Sequence, residues 1–329
     1  MNQQTAIGLD IGTSRLVTAG GSNTAPVFET QLNAFLAVPF SRLTEMALRR
    51  ERIAHEAQDG QLIILGNDAE RLANLFHLET RRPMTRGLLN PKEAGGPAIM
   101  RQLLTTLLGT NGEGRRLCFS VPGAPPNAPH ELTFHESTIR GILTEMGYVV
   151  TTINEGLAVV VAELEETNFT GLGVTFGGGM CNVCLAYLSI PIFSFSIAKA
   201  GDYIDESAAG LCGEGPTRVR AIKEHSFHLN GFYVDQVQQA LTTYYDDVIA
   251  SVIGALAEYL SKPRNIPRLD RAIPVVISGG TSLPLGFKDR FEAVLKTANL
   301  PLAISEIRMS ADPLNSTAKG ALVAALAEI

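Results

Sequence analysis

Tryptophan is absent from the 329 residues, cysteine occurs only four times, and charged side chains make up just 18% of the chain. Four cysteines in so long a chain do not build a disulfide framework, which points to a reducing, cytoplasmic setting. Cys181 and Cys184 have CxxC spacing. They fall on an expected strand, where residues three apart point to opposite faces, and no second CxxC or His pair follows at zinc spacing. Buried small apolar side chains are therefore favoured over metal or redox use. No apolar run approaches the roughly 18 residues of a membrane span. The opening MNQQTAIGLD lacks the basic and apolar regions of a secretion signal and the length and basic face of an amphipathic anchor. The 122–135 loop offers only Leu132 and Phe134 as scattered apolar candidates, so membrane association has little support. A basic stripe is missing as well. Net charge is −6, and the groups Arg49, Arg50, Arg52 and Arg81, Arg82, Arg86 sit among acids as solvated faces. No nucleic-acid partner is expected.

What the chain does have is apolar material, 45% of its residues, enough for the cores of two ordinary domains. Strands and helices alternate, which defines an α/β protein. Short strands are expected at 6–11 and 15–20 around the turn Gly12-Thr13-Ser14, then at 33–39 and 62–65, while 41–60 is too polar to assign. Asn67 with Glu70 reads as a capping box. A helix over 97–108 stops at Gly109, and a buried strand at 116–121 enters a Pro- and Gly-rich loop over Pro122–Pro129. A helix over 131–146 follows, then a strand at 148–153 and Asn154 as N-cap of a helix over 155–166. Helices are expected at 202–211 and 216–226 after a strand at about 192–198. Over 234–260, Val234, Val237, Leu241, Tyr244, Val248, Val252 and Leu256 form the stripe of the longest helix. A strand at 273–278 meets Gly279-Gly280, and Asp312-Pro313 reads as the start of the last helix.

The two halves echo each other. IGLDIGTS (7–14) aligns with LGVTFGGG (172–179) at an offset of 165, half the chain. Each copy is a strand entering a glycine turn and leaving as a second strand. Glycine permits close backbone approach, and successive main-chain N–H groups in such turns form anion nests. Two nests facing across a cleft would hold a polyphosphate, whereas a lone hairpin would read as an ordinary turn. Asp10, at the end of the first strand, has two readings. It could hold magnesium through waters, or cap the turn. Its counterpart is Thr175, which carries no charge.

These motifs resemble the actin, heat-shock chaperone and sugar-kinase ATPase superfamily. GLDIGTSRL looks like its first phosphate loop, VTFGGGMCNV its second, TINEGLAVVVAELE its connecting helix, VVISGGTSLP its adenosine loop and DPLNSTAKGALVAAL its closing helix. The five occur in family order over almost the whole chain. ILGNDAERL, RRPMTRGLL, FSVPGAPPN and IAKAGDYIDESA resemble stretches of the bacterial actin MreB, the branch that fits best. The resemblance implies a duplicated actin-like (ribonuclease H-like) two-domain fold with nucleotide in the interdomain cleft. Domain I would span 1–168 with a small insertion at about 33–80. Domain II would span 169–329 with an insertion at about 211–271, and its last helix, 312–329, would return to domain I.

The resemblance also implies site roles. Asp10 would sit near Mg2+, with Gly12, Thr13 and Ser14 around the β-phosphate of ATP. Gly177, Gly178 and Gly179 would cradle the γ-phosphate, Gly201 would approach the phosphates, and Gly279, Gly280 and Thr281 would flank the adenosine. Glu155 matches the acid that orients or activates the attacking water; the alternative is a first-turn Glu favoured by the helix dipole. Lys223 matches a residue that packs on base or ribose, or is a surface lysine. Departures are Thr175 for an acid, Met180 for threonine, Asn182 where an acid is common, Gly156 for proline and Arg220 for an acid. They imply a weak ATPase, or nucleotide binding without much turnover. Three functions follow from the resemblance: an MreB-like, filament-forming protein of cell shape or intracellular organisation, a non-polymerising adaptor like the pilus-assembly protein PilM, or, less well supported, a small-molecule kinase. The partner would be self or an assembly protein.

Overall fold

The computed structural model describes residues 6–124, 129–229, 231–261, 269 and 271–327. Its chain builds one five-stranded sheet twice. The first copy begins with the antiparallel meander β1 (Ile7–Ile11), β2 (Arg15–Ser22) and β3 (Ala25–Leu32). A three-stranded sheet is then inserted, made of β4 (Phe35–Pro39), β5 (His55–Gln58) and β6 (Gln61–Leu65). It carries α1 (Arg42–Arg50) and α2 (Gly66–Phe76) and has its own apolar core. The short hairpin β7 (Met84–Thr85) and β8 (Leu88–Leu89) and helix α3 (Gly96–Leu108) follow. Then β9 (Arg116–Val121), α4 (Pro129–Glu145) and β10 (Val149–Asn154) complete the first sheet, in the order β10-β9-β1-β2-β3. β9 pairs parallel with both β1 and β10.

After α5 (Glu155–Glu163) the pattern repeats. β11 (Gly171–Phe176), β12 (Cys181–Tyr187) and β13 (Ile190–Ile197) form a second antiparallel meander. Three helices are inserted, α6 (Gly201–Cys212), α7 (Pro216–His225) and α8 (Gln236–Ser261). Parallel strands β14 (Ile273–Ser278) and β15 (Ile304–Met309) close the sheet in the order β13-β12-β11-β14-β15. α9 (Phe287–Thr297) lies between them and α10 (Ser316–Ala327) ends the described chain. The half-length echo is therefore a repeat of topology.

The two helices that follow each sheet are exchanged. α5, reached from the first sheet, packs on β11 and β12, while α10, reached from the second, packs on β1 and β9, and α5 and α10 pack on each other. Both crossings need bare backbone. A Cβ on Gly8 would overlap the α10 main chain at Ala318 and Leu322, and one on Gly173 would overlap the α5 main chain at Gly156. α5 starts where it does because Asn154 Oδ1 accepts from the N–H groups of Gly156 (3.0 Å) and Leu157 (3.2 Å), a cap contributing about 1 kcal/mol. At the far end of β11, Phe176 meets Phe287 and Phe291 edge to face, with centroids 4.8 and 5.8 Å away. This locks the strand just before its glycine turn.

Several expected elements are corrected. The segment 33–39 is a strand only from Phe35; Asn33 ends the turn from β3 and lies buried. Asn67 does not cap α2, whose N-cap is Leu65. Its Oδ1 instead accepts from the Leu32 N–H at 3.0 Å. Asp312 caps a turn rather than the helix itself. Its carbonyl accepts from Asn315 and Ser316, and α10 starts at Ser316. α8 starts at Gln236, leaving Val234 exposed; its fully buried face runs through Leu241, Tyr245, Val248, Val252 and Leu256, with Val237 and Tyr244 half-buried against the same core. Part of the Pro122–Pro129 loop falls outside the described residues. No helix among the described residues is long and apolar enough to cross a membrane.

Candidate functional site

Between the two sheets lies a cleft of about 500 Å³, and every site residue expected from the sequence lines it. The β1–β2 and β11–β12 turns form its floor and touch each other. A Cβ on Gly178 would overlap the Ser14 hydroxyl, and one on Gly179 would overlap Thr13 Oγ1 and the main-chain nitrogen of Gly87. The bare backbone at 177–179 therefore has an immediate structural cause, namely the hydroxyl-bearing turn opposite. Each turn is closed by one main-chain bond, from Gly12 N–H to the Arg15 carbonyl at 2.9 Å and from Gly177 N–H to the Met180 carbonyl at 3.0 Å. Among the described residues, the N–H groups of Thr13, Ser14, Gly178 and Gly179 donate to no acceptor. Four unpaired donors in one cleft are an anion-binding arrangement.

The second turn's carbonyls are engaged elsewhere. Gly177 O accepts from Gly201 N–H (3.1 Å) and Thr281 Oγ1 (2.7 Å), and Gly178 O from Asp202 N–H (2.7 Å). Gly201 and Thr281 thus hold the turn from behind. Gly279 sits at φ +93°, where the chain passes against Phe176 too closely for a side chain. The β7–β8 hairpin reaches both turns, since Gly87 N–H donates to Thr13 Oγ1 (2.9 Å) and Gly87 abuts the Met180 side chain. That hairpin is anchored by His135, whose Nδ1 accepts from Leu89 N–H (3.2 Å). Burial pushes the imidazole pKa down to about 4, so the ring is neutral.

Two acids share the floor. Ser120 Oγ donates to Asp10 Oδ1 at 2.7 Å. Glu155 Oε2 accepts from Asn182 Nδ2 at 2.7 Å and from Thr175 Oγ1 at 3.5 Å. Burial raises Asp10 to about 6. Burial, with the Asp10 charge added to it, raises Glu155 to about 8. Among the described residues no Lys or Arg lowers either acid, so the pair is short of positive charge, and a hard divalent cation with oxygen ligands fits it. Among the described residues no group of three or more His, Cys, Asp or Glu could hold a metal, so such an ion would keep waters or take phosphate oxygens.

Asn182 is a site residue whose part the sequence does not reveal. Its Nδ2 holds Glu155 while its Oδ1 accepts from Gly123 N–H (2.9 Å), and Ser196 Oγ donates to the Gly123 carbonyl (2.8 Å). One side chain must both donate and accept here. An acid would put a carboxylate against Glu155, whereas an amide serves both partners. Lys223 is not a surface residue. It is buried, 2.7 Å from Asp205, and donates to the Gly201 carbonyl at 3.2 Å. Arg220 bridges Asp205 (3.2 Å) and Asp202 (3.3 Å), and Arg82, from the first half of the chain, reaches Asp202, a cleft-lining residue of the second half, at 2.9 Å.

Two meander-and-crossover sheets with exchanged helices, and paired turns meeting in the cleft between them, define an actin-like two-domain fold. Solved structures agree at the level of fold. The MamK double helical filament shares 17% identity over 99% of this chain and 99% of that one, with a TM-score of 0.73. MreB5 of Spiroplasma citri bound to AMPPNP shares 14% over 98% and 96%, with 0.70. The ethanolamine utilization protein EutJ from Carboxydothermus hydrogenoformans shares 16% over 98% and 91%, with 0.58. No curated protein matches the sequence. The volactin family model matches residues 5–325, and the chain belongs to the volactin family.

Proposed function

We propose that this chain binds Mg-ATP in the cleft, hydrolyses it slowly, and assembles with copies of itself according to the nucleotide bound. The observation that carries the reading is the meeting of two hairpin turns with four unpaired main-chain donors in one cleft. Main-chain donors tolerate the neutral residues Thr175 and Asn182, so polyphosphate binding survives those departures. Gly12, Thr13, Ser14 and Gly177–Gly179 would hold the phosphates, and Gly201 and Thr281 would fix the second turn. Gly279 and Gly280 would flank the adenosine. Lys223, tied to Asp205, would line the nucleoside end rather than meet phosphate. Residues 1–168 and 169–329 would move as the two bodies, with the Arg82–Asp202 pair closing the mouth. The setting would be the cytoplasm, in cell shape or intracellular organisation.

Asp10 would hold the Mg2+, which when bound supplies positive charge to the phosphates and to both acids. Glu155, raised to about 8, is protonated near neutral pH while the floor lacks a cation. Ionised, it would accept a proton from the attacking water, and Asn182 would fix its orientation. Phosphoryl transfer relies chiefly on positioning and electrostatics, so one acid supports a slow rate. Support for assembly comes from a fold relative solved as a double helical filament, and support for nucleotide binding from one bound to AMPPNP. The neutral Thr175 and Asn182 favour a second reading, a nucleotide-binding adaptor that neither polymerises nor turns over appreciably. Sedimentation and negative-stain microscopy with Mg-ATP and Mg-ADP separate the two. Filaments in one nucleotide state support the first, and a monomer in both supports the adaptor. Absence of any ATP binding would overturn both.

A further inference from the structure

The first glycine turn is gripped by one residue from outside the cleft. Asn33, between β3 and β4, is fully buried and does not line the cavity. Its Nδ2 donates to the Gly12 carbonyl at 2.9 Å, and its own main-chain N–H donates to the Ser14 carbonyl at 3.0 Å. Both sides of Thr13 are thus tied to one residue. Nδ2 also donates to Met84 Sδ (3.0 Å) on the β7–β8 hairpin, while Oδ1 has no partner among the described residues. Turned the other way round, the amide would set its oxygen against the Gly12 carbonyl, so its orientation is fixed. A buried amide oxygen left unpaired is costly. An asparagine held here in spite of that cost is there for its N–H groups.

Resting on the reading that the cleft holds the phosphates of ATP, we propose that Asn33 is a positioning residue of that site: by drawing the Gly12 carbonyl away from the cleft, its amide aims the Thr13 N–H at a phosphate. The link is the planar trans peptide, in which C=O and N–H point in opposite directions. Gly12 O and Thr13 N belong to one such plane, so a carbonyl held from behind sends the N–H forward. The second turn obeys the same rule. Its Gly177 and Gly178 carbonyls are held by Gly201, Asp202 and Thr281, and the other ends of those two peptides are the unpaired N–H groups of Gly178 and Gly179. What main-chain neighbours and a hydroxyl do there, the Asn33 amide does here. Without it the Gly12–Thr13 peptide is free to rotate, and a donor that must be ordered on binding contributes less than one already aimed.

The test is titration calorimetry of the full chain with Mg-ATP from pH 5 to pH 8, in the wild type, Asn33→Leu and Asn33→Asp, at a temperature where circular dichroism shows each protein folded. Leucine fills the space without a donor, so affinity should fall about fivefold at every pH, the scale of one hydrogen bond. Aspartate has a proton for the Gly12 carbonyl only while its carboxyl is protonated. Its affinity should lie within about twofold of the wild type at pH 5 and fall about tenfold below it at pH 8. Asp10 and Glu155 titrate in both proteins and drop out of that ratio. A residue serving only the fold would give no such recovery. Wild-type affinity in Asn33→Leu, or a ratio in Asn33→Asp that does not change with pH, would overturn the proposal while leaving ATP binding intact. Should neither variant fold, the wild type decides. Amide exchange at Thr13 should slow by at least about tenfold when Mg-ADP binds, and an unchanged rate would overturn the proposal. If no nucleotide bound the wild type, the functional reading would fall first and this inference with it.

Discussion

Removing the charge of Glu155 should stabilise the nucleotide-free, metal-free protein above neutral pH, although the residue belongs to the site. A carboxyl raised from 4.5 to about 8 binds its proton more tightly in the folded chain than in the unfolded one. Between those values the folded state holds more protons, so stability falls as pH rises through the window. At about 1.4 kcal/mol per pH unit the full cost would be several kcal/mol. Glu155 lines an open cleft that water reaches, and its titration is tied to that of Asp10, so about 2 kcal/mol at pH 8 is the working figure. Glu155→Gln keeps an acceptor for Asn182 Nδ2 and Thr175 Oγ1, so the fold loses no partner. The variant should match the wild type at pH 5 and melt roughly 3–5 °C higher at pH 8. Mg2+ held by Asp10 should narrow the gap by stabilising the wild type, with two acids on the floor, more than the variant, with one. Melting is best followed by circular dichroism, because the chain has no tryptophan. Parallel melting profiles of the two proteins from pH 5 to pH 8 would refute the reasoning.

Gly179→Ala should weaken ATP binding by more than about tenfold, because its Cβ meets the Gly87 main chain, which cannot turn aside, and the two turns must part. Gly178→Ala meets only the Ser14 side chain, which can rotate, so calorimetry should find it the milder change. Arg82→Ala removes the ion pair between the two halves and leaves Asp202 paired with Arg220. The pair is partly exposed, its side chains 21% and 23% accessible, and Asp202 keeps Arg220, so the loss in stability should be on the order of 1 kcal/mol. Release of a fluorescent ATP analogue should nonetheless quicken by about three- to fivefold, and an unchanged release rate would remove the latch from the account.

The phosphate turns were legible in sequence because glycine records a backbone demand directly, and the demand repeats at half the chain. The same holds for Asn154, whose capping role needs only its next neighbours. Elements held by distant packing were not legible. β3 alternates weakly at a sheet edge, and α1 buries only Leu48 while its Leu43 and Met46 stay exposed, so neither announces its packing. α9 did carry a signal, Phe287, Phe291 and Leu295 at four-residue steps, although no helix was expected there. Within the site, Arg82 meets Asp202 across 120 residues and Asn182 meets Glu155 across 27, pairings that no local pattern announces. The substitution at 182 was readable as a departure. Its cause, a side chain that must donate to Glu155 and accept from Gly123, was readable only in three dimensions.

The two copies of the hairpin differ for reasons of packing as well as chemistry. At the offset of 165, Thr13 and Ser14 correspond to Gly178 and Gly179. In space the pairs are crossed, with Ser14 filling the room left by Gly178 and Thr13 the room left by Gly179. Two turns that both carried hydroxyl side chains would collide, and two bare turns would leave a gap where they meet. A duplicated fold that closes on itself therefore has to break its symmetry at this point, one turn bare and the other filled. Charge is divided in a parallel way. Asp10 corresponds to Thr175, and Glu155 lies within reach of both. A third carboxylate at 175 would raise Glu155 further unless a cation were always present, whereas a hydroxyl holds Glu155 by a hydrogen bond and adds no charge. The asymmetry in side chains thus follows from the symmetry of the backbone, and it leaves the cleft floor tolerant of an empty state.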